Sequence, residues 1–255
     1  MNPILEESRA VIIHRREYLL FHVLYLAASA VFVLLLWPTH GFIHFFRTDS
    51  VPAVFEATVI FQMILLTILS LYAGMDRLAP DSIIRYTEWI EHTTIPMSTL
   101  IAGKLITAVV HTLFLVTLSV PFVIIAAGPA GMVSQVIAAS LVLLLLVALA
   151  SRLAGMLISH VGERRYVIRV IGGWIYLALL YVATVQILPV LNPIVALVQQ
   201  YGSTSPSTAL SGSASIAPHP LLHPVIAMTG LILLVALLYV TGLLSHKRKE
   251  IMHHG

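Results

Sequence analysis

Charged side chains occur at wide intervals along the chain, and the stretches between them are apolar and long. A helix rises about 1.5 Å per residue and a bilayer's hydrocarbon core is about 30 Å thick, so a spanning helix needs roughly 20 mostly apolar residues. Between Glu17 and Arg47 one such run covers about residues 18–37, and between Glu56 and Asp76 a second covers about 57–75. No charge occurs between Lys104 and Arg152, about twice the length of one crossing, and Gly128-Pro129-Ala130-Gly131 interrupts the run. Glycine and proline punctuate helices, so this stretch predicts a hairpin of two spans, about 105–127 and 132–157. The uncharged stretch from Arg169 to Lys247 divides into a span of about 170–188, a loop, and a span of about 221–245. The pattern predicts an all-α membrane protein with six transmembrane helices, residues 1–255 forming a single transmembrane domain.

Shorter patterns lie between the spans. Residues 2–17 mix Ile4, Ala10, Val11, Ile12 and Ile13 with Arg9, Arg15 and Arg16, which suits a helix lying in the membrane interface; a frayed leader with stop-transfer charges is the plainer alternative. Between spans two and three, Asp81 or Ser82 can cap a short helix. Ile83, Tyr86, Thr87 and Ile90 recur on one face of it, Arg85, Glu88 and Glu91 on the other, and Trp89 at the boundary. Asp81 and Arg85 stand at i, i+4. Pro96 ends this helix. A loop resting on the membrane surface fits the same residues. After span five, Leu188-Pro189-Val190-Leu191-Asn192-Pro193 breaks the helix, and the apolar Ile194 to Val198 is too short to cross. A re-entrant or interfacial helix at the outer surface, before span six, follows. Tyr201 to Pro218 is uncharged and rich in Ser, Gly, Pro and Thr, the composition of a flexible loop.

Composition agrees with this layout. The chain is 59% hydrophobic and 10% charged, with mean hydropathy +0.97, against about 25% charge in soluble domains. A globular enzyme, a disordered tail and a nucleic-acid module are excluded on that ground. With six spans, Arg9, Arg15, Arg16, Arg77, Arg85, Lys104, Arg152, Arg164, Arg165, Arg169, Lys247, Arg248 and Lys249 fall on one side and Arg47 alone on the other. Basic loops stay cytosolic, so both termini are expected in the cytosol and the chain in the plasma (inner) membrane. Ala28-Ser29-Ala30 resembles a signal-peptide cleavage site, but the apolar run continues through Leu36, so an uncleaved span is expected.

Little chemistry is visible in the residues. There are no cysteines, which removes disulfides and thiolate metal sites. Gly103-Lys104 is followed by Leu105, and Ser98 stands where a phosphate-binding loop has its first glycine, so the chain is expected to hold no nucleotide. No His-Glu-x-x-His occurs, and Ser213 lacks a glycine-framed setting. Acids are expected only at span borders, as with Glu56 and Asp76, whereas ion-driven carriers keep ionisable groups at mid-depth. His40 and His44, and His219 and His223, stand at i, i+4 but are crowded by Pro38, Pro220 and Pro224, which suits interfacial histidines better than a metal or haem site. His22 and His111 read as lone histidines within spans, hydrogen-bonded packing residues rather than axial ligands, and Ser151, Gly155 and Ser159 as a helix-packing stripe.

Six spans with cytosolic termini, a leading interfacial segment and one cytosolic helix between spans two and three resemble the permease subunits of type-2 ABC exporters. Glu88-Trp89-Ile90-Glu91-His92-Thr93-Thr94-Ile95-Pro96-Met97-Ser98-Thr99-Leu100-Ile101-Ala102-Gly103-Lys104 is similar to that family's coupling segment, in which an acidic helix leads into a Thr-Pro-like turn and Gly-Lys opens the third span. Here Ile95 separates Thr94 from Pro96. Ser119-Val120-Pro121 and Leu191-Asn192-Pro193 also fit. The resemblance implies that Arg85, Glu88, Trp89, Glu91, Thr94 and Pro96 contact a separate ATPase subunit. It places Gly103 and Lys104 at the entry to span three, and Asn192 and Pro193 at the outer helix break. ATP and magnesium would sit on that partner, with no cofactor or metal in this chain. Two permeases, as a homodimer or heterodimer, would form the substrate pathway in membrane lipid, with no role for nucleic acid. A non-transporting membrane scaffold or sensor is the alternative, and an intramembrane enzyme a weaker one, since no convergent catalytic set occurs. Uncharged spans do not select among lipids, drugs, peptides and other amphiphiles.

Overall fold

In the computed structural model the described residues are 16–36, 52–75, 97–161, 166–183, 192, 194–195, 229 and 232. They form helices α1 (Arg16–Leu36), α2 (Pro52–Gly74), α3 (Met97–Ala130), α4 (Ser134–Val161) and α5 (Tyr166–Ala178), the last continuing into a π-helical turn, Leu179–Ala183. No strand occurs among the described residues. Four of the helices are long and apolar enough to cross a membrane, over Leu19–Leu36, Val54–Gly74, Ala102–Ala130 and Ser134–Ser159. These are the first four spans of the sequence pattern. A shorter apolar stretch, Val167–Val182, lies where the sequence pattern predicts the fifth. Residues 2–15, the segment 81–96, the loop 201–218 and all of span six except Thr229 and Ile232 lie outside the described residues.

The helix ends follow local chemistry rather than the charge pattern. Proline at the first helical position of α2 needs no partner for its missing N–H, so α2 starts at Pro52. Glu56 then lies half-buried in its second turn, inside the helix instead of bordering it. Met97, directly after Pro96, starts α3, a helix of 34 residues. Gly103 and Lys104 lie past its first turn, at the start of its apolar stretch Ala102–Ala130. The hairpin between α3 and α4 turns at one residue. Gly131 takes φ 61, its N–H bonds the Gly128 carbonyl at 3.1 Å, and the Met132 N–H bonds Ala127 at 3.3 Å, the paired closure of a Schellman turn. Pro129 and Ala130 remain helical. Pro121 sits within α3, where the Ser119 hydroxyl donates to the Val116 carbonyl at 2.6 Å in the turn ahead of it.

Helices α2 and α4 form the centre. In lipid no hydrophobic force joins helices, so close backbone packing must do so. Gly155 of α4 meets Gly74 of α2 almost backbone to backbone. A Cβ on Gly155 would lie 2.3 Å from the Leu71 carbonyl, and one on Gly74 2.2 Å from the Arg152 carbonyl. Ser151, predicted on the same stripe, is buried, and Ser159 half-buried. Phe55, Val59, Met63 and Leu66 of α2 pack with Leu143, Leu144 and Val147 of α4 and Leu115 and Val123 of α3. Ile232 packs against Ala108, Leu153 and Met156, bringing one residue of the predicted sixth span to α3 and α4. Leu34, Val110, Val167, Trp174 and Val182 stand on the outside, as lipid-facing residues do.

Candidate functional site

Polar side chains within spanning helices must find partners in the protein, because lipid offers none. Most hydroxyls here turn back to their own helix. Thr58, Thr107, Thr112, Thr117, Ser140 and Ser151 each donate to the carbonyl four residues earlier, at 2.7–2.9 Å. These bonds stay within one helix, though Ser151 also meets Tyr176 of α5.

A smaller set crosses between helices. The Tyr25 hydroxyl of α1 donates to the Gln62 carbonyl oxygen of α2. Gln62 is fully buried, and its Nε2 has no partner among the described residues, nor do the hydroxyls of Ser29 and Ser70. Tyr181 pairs with Thr67 at 2.6 Å, and Tyr176 with Ser151 at 3.2 Å. These two tyrosines tie α5 and its π turn to α2 and α4. Between α1 and α3, His22 and His111 bring their Nε2 atoms within 3.4 Å, and Phe114 meets the His22 ring edge-on at 5.2 Å. Arg152 of α4, near enough to act electrostatically on His111, is only 7% exposed.

Asn192 holds two backbone breaks at once. Its Nδ2 donates to the Tyr181 carbonyl at 3.2 Å and to the Leu180 carbonyl at 3.5 Å, where the π turn disturbs the regular ladder. Its Oδ1 accepts from the Ile194 and Val195 amides at 2.9 and 3.1 Å, the N-cap role favoured for asparagine. The side chain is fully buried. Eleven residues of sequence separate Asn192 from Tyr181, yet the chain returns to touch it.

Of the residues singled out by the sequence, Arg85, Glu88, Trp89, Glu91, Thr94, Pro96 and Pro193 lie outside the described residues. Gly103 is buried and Lys104 half-buried on α3; Asn192 stands apart from them at the end of α5. The histidine pair and the buried Arg152 are not evident from residue types alone. One signal does exist for the pair. His22 follows Arg16 by six residues and His111 follows Lys104 by seven, so in spans running the same way the two imidazoles fall at similar depth.

The crossing groups are hydroxyls, one amide, two imidazoles and a guanidinium. Such groups donate and accept hydrogen bonds within the helix bundle. Among the described residues no three His, Cys, Asp or Glu side chains gather where an ion could be held. Compared with known proteins, the chain matches no family model, no curated protein and no solved structure.

Proposed function

We propose that the chain is the membrane permease subunit of an ATP-driven exporter of the type-2 ABC class, forming the substrate pathway and powered by a separate ATPase. In this reading the chain has six spans with cytosolic termini in the plasma membrane. It also has an interfacial N-terminal helix, a coupling helix within 81–96, a re-entrant helix before span six, and a second permease as partner.

The observation that carries the reading is the length of α3. Its 34 residues make a rod of about 51 Å, some 20 Å more than a hydrocarbon core, and it begins directly after Pro96. In this reading a push on the segment 81–96 is carried into the bundle along α3, and alternating access follows from the tilt of the spans. The absence of a phosphate-cradling loop and of an acid at mid-depth in α1–α4 supports an outside source of energy. Asn192, fastening the chain after the π turn to the end of α5, supports a re-entrant element there.

The test is to search the neighbouring reading frames for an ATPase subunit and to reconstitute it with this chain. The pair should hydrolyse ATP faster than the ATPase alone, and the permease alone should not hydrolyse it. Reversing both Glu88 and Glu91 to lysine sets like charges across the docking face, which costs several kcal/mol, and should abolish stimulation and pull-down while insertion persists. Unchanged stimulation and pull-down by the double reversal would remove the coupling role. Absence of any ATPase partner would favour a scaffold.

A further inference from the structure

Tyr176 and Tyr181 both turn their hydroxyls into the bundle, Tyr176 to Ser151 of α4 at 3.2 Å and Tyr181 to Thr67 of α2 at 2.6 Å. An α-helix turns about 100° per residue, so side chains five residues apart stand about 140° from each other, and side chains four apart only about 40°. These two are five apart. The π turn Leu179–Ala183 resolves the mismatch: its i→i+5 bonds take one more residue into the turn, and Tyr181 comes back to the side of Tyr176. Leu-Leu-Tyr-Val-Ala holds no proline or glycine that would force such a turn, so what holds it lies elsewhere. Asn192 bonds the Leu180 and Tyr181 carbonyls at 3.5 and 3.2 Å, the acceptors that an α-helix would give to its own amides four residues on. A side chain bonded to the backbone in this way competes with the helical ladder. Its Oδ1 meanwhile caps Ile194 and Val195, so the segment that starts at Asn192 and the register of α5 share one side chain.

We propose that the end of α5 is a two-register switch with Asn192 as its latch. Latched, Leu179–Ala183 keeps the π turn and Tyr181 holds Thr67. Released, the two carbonyls return to helical bonding, the extra residue leaves the turn, and Tyr181 rotates by about 100°, one residue's worth, off α2 toward the lipid. Tyr176 precedes the turn and keeps Ser151. A pull on the chain beyond Asn192 is thereby passed to α2 as the loss of one hydrogen bond, while the body of α5 stays in place. A few residues that absorb a backbone change in this way are the usual form of a hinge. The switch rests on helix geometry and stands whether or not the chain is an exporter permease.

The experiment labels the 9 tyrosines as 3-fluorotyrosine and follows the full chain in lipid nanodiscs by fluorine NMR. Tyr176→Phe and Tyr181→Phe assign the two lines, and a nitroxide-bearing lipid broadens any ring that reaches the acyl chains. In Asn192→Ala more than half of the Tyr181 intensity should move to a new, broadened line, while the Tyr176 line stays where it is. Deleting Leu179 takes out the extra residue and sets the two tyrosines four apart, so the same deletion in the Asn192→Ala chain should restore the Tyr181 line. If Asn192→Ala does not elute as a single helical species, Asn192→Asp, which keeps the capping oxygen and loses the Nδ2 donor, takes its place in both measurements. A Tyr181 line unmoved by loss of the carboxamide overturns the latch. A Tyr176 line that moves with it, or a deletion that fails to restore Tyr181, overturns the register change and leaves Asn192 a plain fastening.

Discussion

Helices α1 and α4 are both apolar spans, yet the fold holds them in opposite ways. Buried positions make up 61% of the α4 span and 17% of the α1 span. Gly155 lets α4 lie against the backbone of α2, so the two helices meet along a continuous close-packed face. Helix α1 is held by side chains at separate levels: His22 to His111, Tyr25 to Gln62, and Phe32 stacked on Phe61 at 3.9 Å. Backbone packing tolerates no gap and gives a rigid seam, whereas isolated side-chain pairs can break one at a time. The α2–α4 seam is thus the frame, and α1 the span with least resistance to displacement.

The seam is the place to break the fold outright. A leucine at Gly155 would drive its first side-chain atom to within 2.3 Å of the Leu71 carbonyl, a backbone atom that cannot swing aside. We expect Gly155→Leu to cost about 3 kcal/mol or more, the upper end for overpacking, and to yield little monodisperse protein. Gly155→Ala should cost about 1–3 kcal/mol on the same scale. Gly128 is the control, since nothing lies within 4 Å of its added Cβ, and Gly128→Ala should melt at or slightly above wild type. Thermal unfolding in detergent, followed by fluorescence-detected elution, reads all three. Equal loss at Gly128 and Gly155 would refute the seam.

Asn192 extends the comparison to α5, which also hangs on side-chain bonds. Removing the carboxamide frees two backbone amides and two backbone carbonyls in a buried place, so Asn192→Ala should destabilise by about 1–3 kcal/mol. Asn192→Ser keeps a capping oxygen but not the reach to Leu180 and Tyr181, and should recover part of the loss. Stability equal to wild type in the alanine variant would mean that the π turn holds without Asn192.

The sequence carries the frame better than the fastenings. Charge spacing located the spans of α1, α2, α3 and α4 because lipid excludes charge from long stretches, and the Gly131 turn followed from backbone freedom. Charge placed the second span's start a few residues late, since the apolar stretch begins at Val54 and Glu56 lies inside its helix. The Ser151–Gly155–Ser159 stripe was visible on one helix, but nothing in it names Gly74 as its partner. Tyr25 and Gln62 are 37 residues apart and His22 and His111 are 89 apart; no local pattern reports such pairs. At the candidate site the sequence marked Asn192 as a helix break. It could not tell that one side chain serves both ends of that break, because the carbonyls it binds are set by the π turn.

The smallest expected effect tests how α1 is held. Hydrogen bonds between spans average about 0.6 kcal/mol, with a maximum near 1.7 kcal/mol, so Tyr25→Phe should shift overall stability only slightly. It leaves the buried Gln62 Oε1 without its donor, and an unmade buried bond costs more than a bond replaced on both sides. Tyr25→Phe combined with Gln62→Leu should therefore be closer to wild type than Tyr25→Phe alone, despite losing more polar atoms. The place to look is local. Amide hydrogen exchange of α1 should rise in Tyr25→Phe while α2 and α4 keep their protection, because the seam does not depend on this pair. If exchange rises equally in α2 and α4, α1 belongs to the frame and the contrast between the two helices fails. If α1 itself is unmoved, the histidine and phenylalanine contacts suffice to hold it, and Phe32→Ala becomes the sharper variant, since stacked rings add about 0.5–1.5 kcal/mol beyond their burial.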